Sequence, residues 1–256
     1  MHVKVVLLQL LSPFLCAVNA EFSADFRVFI HNRYGISVVH QLERGDLGPD
    51  GSTGGRAQGA APSADEAAII VHGVSNKITR FNGIMNALRA RGIEAYGTTW
   101  GDGGTTPVGL VELKCAYVKQ IRSMIIAVRE YTGKKVDVIA YSMGSPLARK
   151  AILGGICVDT RELLGVPLTE HVDTFLSVAG SEFLADVNSR THYEGTATFS
   201  IFSTEDEKIG YRTCSRLSSP IVGGTGFVKK LEMSHDEVLD KTMEMQINFI
   251  KRHKPK

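Results

Sequence analysis

Lys135-Val136-Asp137-Val138-Ile139-Ala140-Tyr141-Ser142-Met143-Gly144 is the stretch that decides the fold of this chain. Val136 to Ala140 is a near-continuous apolar run and predicts a buried strand. Pro146 to Leu153 reads as the helix that follows. Between them stands a small residue, then Ser142, then Gly144. Strand, sharp turn, serine and helix is the arrangement that exposes a nucleophilic hydroxyl above the positive end of a helix. Small flanking residues are a steric demand, because a larger group would strike neighbouring backbone. Ala140 stands where the commoner pattern has glycine, and alanine is the next smallest residue. The plainer reading of Ser142 is a cap on an ordinary helix, and the rest of the chain weighs against it.

Outward from this stretch, strand-like and helix-like patterns alternate from residue 67 onward. The candidate strands are Ala67 to Val71, Glu94 to Thr99, Val136 to Ala140, Val172 to Val178, Thr196 to Phe202 and Phe227 to Met233. Between them run amphipathic stripes. Phe81, Ile84 and Leu88 share one helical face, and Leu113, Tyr117, Ile121, Met124, Ile125 and Val128 share another. Leu239, Met243, Ile247 and Ile250 make a third, near the C-terminus. Such stripes are core faces. The alternation predicts an α/β domain, with a mostly parallel central sheet flanked by helices and its reactive edge at the C-terminal ends of the strands. Phe22 to Gln41 mixes aromatic, β-branched and polar residues and reads as short edge structure. Gly45 to Ala68 is rich in Gly, Ala, Pro and Ser, which is loop chemistry.

The first twenty residues read as an export leader. Lys4 precedes the apolar stretch Val5 to Val18, which is too short to span a bilayer, and Val18 and Ala20 supply small residues before a cut. The mature chain is then expected to begin near Glu21. Removing twenty residues from 256 leaves 236, enough for a single buried domain over 21–256. Losing Lys4 lowers the basic count from 29 to 28 against 27 acids, so the net charge falls from +2 to +1. That balance argues against a dedicated nucleic-acid binder. No later segment is long and apolar enough to span a membrane. Cys16 lies in the leader, which leaves Cys115, Cys157 and Cys214. One bridge and one free thiol can form from these in three connectivities. No Cys-x-x-Cys or histidine cluster has zinc-site spacing, so no metal is expected.

A serine hydroxyl is a weak nucleophile near neutral pH. It needs an imidazole to take its proton, a carboxylate to orient that imidazole, and N–H donors for the oxyanion. On a sheet of this type the acid and then the base come after later strands. Ser203-Thr204-Glu205-Asp206-Glu207-Lys208 follows the strand Thr196 to Phe202, and Asp206 is the preferred acid of its three carboxylates. The other two read as a solvated turn. His235 follows Phe227 to Met233 and opens the last helix, where Ser234 and Glu237 have capping-box spacing. The alternative for His235 is an ordinary surface histidine at a helix start. The expected oxyanion donors are the backbone N–H groups of Met143, directly after the serine, and of Val74 in His72-Gly73-Val74. His72 reads as a brace of that loop and not as a base.

With Val71-His72-Gly73-Val74, the Ala-x-Ser-x-Gly turn at Ser142, Ser203-Thr204-Glu205-Asp206 and Ser234-His235, the chain resembles the class 2 triacylglycerol lipases. It looks closest to their nematode members, over roughly Ile69 to Ile250. The resemblance implies a minimal α/β-hydrolase fold. It implies Ser142 as nucleophile, Asp206 as acid, His235 as base, and Val74 and Met143 as oxyanion donors. It further implies a secreted monomer that needs no cofactor and acts on a lipid or other ester, at a lipid–water interface. A short-chain esterase or phospholipase on the same residues is the alternative, as is an inactive lipid-binding relative. Such lipases often carry a longer, cysteine-containing loop after the equivalent of Val178-Ala179-Gly180. Here Ser181-Glu182-Phe183-Leu184 follows almost at once, which implies an open or remodelled acyl pocket.

Overall fold

The computed structural model describes residues 21–57, 59–180, 186–213 and 215–256. The expected leader, Cys214 and the short segment 181–185 lie outside the described residues. Among the described residues eleven strands run in chain order: β1 Ser52–Thr53, β2 Ala67–Val71, β3 Ala95–Thr98, β4 Val136–Tyr141, β5 Gly155–Ile156, β6 Leu163–Gly165, β7 Val172–Val178, β8 Ala197–Ser203, β9 Arg212–Thr213, β10 Arg216–Leu217 and β11 Gly226–Lys230. Seven of them form one sheet in the order β1-β3-β2-β4-β7-β8-β11. All its pairings are parallel except β1 against β3. Two small antiparallel hairpins, β5–β6 and β9–β10, stand apart from it.

The period-2 geometry of the strands sorts their side chains onto two cores. Ala67, Ile69 and Val71 of β2 and Val136, Val138 and Ala140 of β4 face one side. There they meet α1 (Ala24–Tyr34), α2 (Ile36–Glu43), α4 (Cys115–Thr132) and α5 (Gly144–Leu153). Ala68, Ile70, Ile139 and Tyr141 face the other side, under α3 (Asn82–Arg89), α6 (His235–Lys241) and α7 (Met243–Arg252). Helices therefore cover both faces, which is why the central strands read as unbroken apolar runs.

Four expectations need correction. Within Phe22 to Gln41 only Phe22 makes a β-bridge, to Gly54, and the rest is the helices α1 and α2. Ser23 caps α1, its hydroxyl accepting the Phe26 N–H, and Phe26 and Ile30 are buried one turn apart. The loop-like stretch after it contributes the two-residue edge strand β1, paired with Thr98 and Gly97 of β3. The last sheet strand ends at Lys230, short of Met233, and the C-terminal helical stripe breaks at Thr242 into α6 and α7. The Thr242 hydroxyl donates to the Val238 carbonyl, and Gln246 donates to the Leu239 carbonyl and to the Thr242 Oγ1. Polar side chains thus fill the join.

Candidate active site

β4 ends at Tyr141, and the next residue, Ser142, has φ 51°, a left-handed conformation that costs a residue with a Cβ about 1–2 kcal/mol. The surroundings hold it there. The Ser142 N–H donates to the Val178 carbonyl at the end of β7, 3.0 Å away, and the Ser145 N–H donates back to the Ser142 carbonyl at 3.0 Å. Tyr141 is pinned beneath by the Phe81 ring, 4.4 Å between centroids, and by its hydroxyl donating to Gln246 at 2.5 Å. Gly144 then lets the chain pass close to β2. A Cβ there would lie 2.3 Å from the His72 carbonyl oxygen and 2.7 Å from that of Val71. The small residue demanded by the sequence pattern is therefore a backbone-to-backbone contact, which no side-chain movement can relieve.

The loop after β2 closes on the same serine. A Cβ on Gly73 would stand 3.0 Å from the Ser142 Cβ and 3.6 Å from its Oγ, so the Gly73 backbone abuts the hydroxyl. His72 braces this loop, as expected. It is buried, its ring stacks on Trp100 at 4.9 Å, and its Nε2 accepts the Trp100 backbone N–H at 2.9 Å. A nitrogen that accepts there carries no proton, so the proton sits on Nδ1, which donates to the Gly73 carbonyl at 2.7 Å. Burial pushes the imidazole down to about 4, so it is neutral at pH 7. A trans peptide points its C=O and N–H in opposite directions. Fixing the Gly73 carbonyl on His72 thereby aims the Val74 N–H away from the imidazole.

Asp206 follows the end of β8 and His235 opens α6 after β11. His235 Nδ1 lies 2.8 Å from Asp206 Oδ2 and 3.0 Å from Oδ1, and both side chains are buried. Asp206 Oδ1 also accepts the backbone N–H groups of Lys208 and Ile209 at 3.0 and 2.9 Å. Burial raises the carboxyl's pKa, but the bonds from His235 and from the Ile209 and Lys208 N–H groups outweigh it and leave it below the ordinary value. Of the three neighbouring carboxylates only Asp206 is buried, while Glu205 and Glu207 are exposed. The capping box is present, with the Ser234 hydroxyl on the Glu237 N–H and the Glu237 carboxylate on the Ser234 N–H. β4 and β8 are separated only by β7, about 10 Å in all. The sheet order thus carries Ser142, Asp206 and His235 to one edge.

Two partners of this site escaped the sequence reading. The Glu207 Oε2 accepts the His235 backbone N–H at 2.9 Å, although Glu207 looked like part of a solvated turn. Arg149 of α5, fully buried, pairs with buried Glu194 at 2.8 Å and reaches Asn188 at 2.9 Å. That ties the chain after β7 to the helix beneath Ser142. Both contacts span tens of residues, so no local pattern signals them. Among the described residues one group has metal-ligand proximity, Cys115, Cys157 and Asp159. Its two sulfurs are bonded to each other, and the carboxylate accepts the Cys115 N–H at 2.9 Å.

Comparison with known proteins bears on the family and the fold. The family model described as lipase (class 2) matches residues 65–182 and 180–248. None of the curated proteins matches the chain significantly. Among solved structures it is similar to esterase 2 of Thermogutta terrifontis, with 14% identity, TM-score 0.55, and coverage of 78% of this chain and 87% of that one. A metagenome-derived lipolytic enzyme is similar at 12% identity and TM-score 0.53, over 75% and 97% of the two chains. An α/β serine hydrolase homologue of Coxiella burnetii is similar at 15% identity and TM-score 0.52, over 79% and 90%. At such identities the likeness is one of fold, the α/β-hydrolase fold.

Proposed function

Since the chain belongs to the class 2 lipase family and is a serine ester hydrolase, we propose that it cleaves lipid esters through Ser142, His235 and Asp206. The observation that carries this assignment is the buried pair of His235 and Asp206, 2.8 Å apart at the edge where Ser142 stands on its strained turn. Ser142 Oγ attacks the ester carbonyl carbon while His235 Nε2 takes its proton. The carbonyl oxygen, now negative, receives the N–H groups of Val74 and Met143. His235 returns the proton to the leaving alcohol, and the acyl group stays on Ser142. Water, activated by the same imidazole, then releases the acid and restores the serine. Asp206 stays ionised throughout, holding the imidazole's orientation and stabilising its cationic form.

The substrate class in this reading is an acylglycerol, met as a monomer at a lipid–water interface, by an exported chain that has lost residues 1–20. Supporting export are Lys4, the apolar stretch behind it and Val18-Asn19-Ala20. Labelling with a fluorophosphonate should modify Ser142 and nothing in Ser142→Ala. Comparing emulsified triacylglycerol with a soluble short ester then separates lipase from esterase, and a phospholipid arm separates phospholipase. An unlabelled, inactive wild type would sink the assignment. N-terminal sequencing of secreted material tests export, and a chain still beginning at Met1 on membranes would refute it.

A further inference from the structure

The helix that opens with His235 is short. α6 has seven residues, about 10 Å of helix, and a helix of that length is marginal in water alone. Ties at its two ends therefore decide where it sits. At the start stand the capping box and the Glu207 carboxylate on the His235 N–H. At the other end a helix runs out of N–H partners for its last carbonyls. There the Thr242 hydroxyl donates to the Val238 carbonyl at 2.6 Å, and Gln246 Nε2 donates to the Leu239 carbonyl and to Thr242 Oγ1, each at 2.9 Å. The other atom of that amide, Oε1, accepts the Tyr141 hydroxyl at 2.5 Å. Gln246 and Tyr141 are both buried, so the whole side-chain amide is engaged inside the protein.

Tyr141 is the last residue of β4 and directly precedes Ser142. One amide thus joins the strand that presents the serine to the far end of the helix that presents the imidazole. Val238, Leu239, Ile247 and Ile250 also pack α6 and α7 on this face of the sheet, but apolar packing has no directional preference. A hydrogen bond has one, and it fails outside a narrow range of distance and angle. Breaking it here would leave a buried phenol and a buried amide oxygen unpaired, away from water. For stability alone an apolar pair of the same shape would serve nearly as well. What the polar pair adds is a fixed register of α6 on β4. We propose that Gln246 is a positioning residue for hydrolysis, holding α6 through Tyr141 so that the His235 imidazole keeps its working distance from the Ser142 hydroxyl. The proposal rests on the reading of Ser142 and His235 as nucleophile and base.

Both side chains lie beneath the turn, out of reach of a substrate, so their loss should fall on kcat and not on KM. With p-nitrophenyl butyrate, Tyr141→Phe, which deletes one oxygen, should lower kcat about tenfold. Gln246→Met should lower it about 100-fold, the order expected of a misplacement near ~1 Å. KM should stay within about twofold of the wild type in both. Combining the changes separates geometry from stability. Tyr141→Phe/Gln246→Met leaves no phenol unpaired, so urea unfolding should find it more stable than Gln246→Met while its kcat stays as low. Glu244→Gln, on the exposed side of α7, should leave kcat unchanged. Two results overturn the positioning role and leave the ester-hydrolase reading intact. One is kcat within about twofold of the wild type in folded Tyr141→Phe. The other is kcat that recovers in the double variant in step with stability. A fall confined to kcat in Tyr141→Phe supports the role even where Gln246→Met does not fold. A wild type that neither hydrolyses the ester nor takes a fluorophosphonate label overturns the ester-hydrolase reading, and the positioning role with it.

Discussion

Asp206 meets His235 with both carboxylate oxygens, Oδ2 at 2.8 Å and Oδ1 at 3.0 Å from Nδ1. An ionised carboxylate only accepts hydrogen bonds, so the imidazole must carry its proton on Nδ1. That leaves a lone pair on Nε2, the nitrogen free to take a proton from a hydroxyl. Oδ1 is further held by the Lys208 and Ile209 N–H groups, so the carboxylate cannot rotate without breaking three bonds.

Asp206→Asn should therefore leave the fold intact and lower turnover by up to about 10⁴-fold, because an amide can present N–H to Nδ1 and set the other tautomer. Glu205→Gln should change turnover by no more than about twofold, since an exposed charge acts only through a screened field. Glu207→Gln keeps an oxygen acceptor for the His235 N–H and should be nearly as mild. Glu207→Ala removes that acceptor and should cost more than Glu207→Gln. Steady-state kinetics on the four proteins decides it. Retained activity in Asp206→Asn, with loss in either glutamine variant, would move the acid elsewhere.

The backbone of Ser142 yields a prediction of opposite sign. Ser142→Gly should abolish hydrolysis yet stabilise the protein by up to about 1 kcal/mol. Glycine removes the left-handed strain at φ 51°, and part of that gain is lost to the freer unfolded chain. Ser142→Ala keeps a Cβ and should not gain. Gly144→Ala should fail outright, because its Cβ would lie 2.3 and 2.7 Å from two carbonyl oxygens. Urea unfolding of the three variants reads all of this. A Gly144→Ala protein as stable as wild type would mean that the turn can open.

The sheet strands and the serine turn were legible because their signals are local. Burial on both faces writes itself as apolar runs at Val136–Ala140 and Val172–Val178, and the capping box at Ser234 and Glu237 fixes where His235 sits. The N-terminal helices were not legible, because α1 buries only Phe26 and Ile30 and exposes Val28, so its β-branched and aromatic residues show no apolar stripe. What makes that stretch helical is its docking on Tyr96 and Tyr131, far away in sequence. Long-range polar contacts were equally hidden. Glu207 holding the His235 N–H, and Arg149 pairing with Glu194, exist only once the strands have brought their loops together.

Cys115 and Cys157 close a loop of 42 residues, whose cross-link should contribute about 4 kcal/mol by chain entropy. Mass mapping of the non-reduced protein should recover this bridge. Reduction, or Cys157→Ser, should lower unfolding free energy by that order. Equal stability with and without reductant would contradict a formed bridge.

The last prediction concerns His72 and pH. Burial holds its folded pKa at about 4 against an ordinary 6.5, so between those values the unfolded chain binds a proton that the folded chain refuses. Stability then rises with pH across that window. His72 costs nothing above about pH 6.5, costs progressively more as pH falls, and costs no more below about 4. The whole shift is on the order of 3 kcal/mol, of which about 2 should be lost between pH 7 and pH 4.5. Protonation would also remove the acceptor of the Trp100 N–H and release the loop that carries Gly73 and Val74. Buried Asp137 works in the opposite sense, because burial raises its pKa well above the ordinary value. The wild-type slope alone therefore does not isolate His72. His72→Gln does, since its amide can still accept from Trp100 and donate to Gly73 but does not titrate. Urea unfolding at pH 7 and pH 4.5 should show the wild type losing about 2 kcal/mol more than His72→Gln. Parallel losses in the two proteins would mean that His72 is not the neutral brace of this loop.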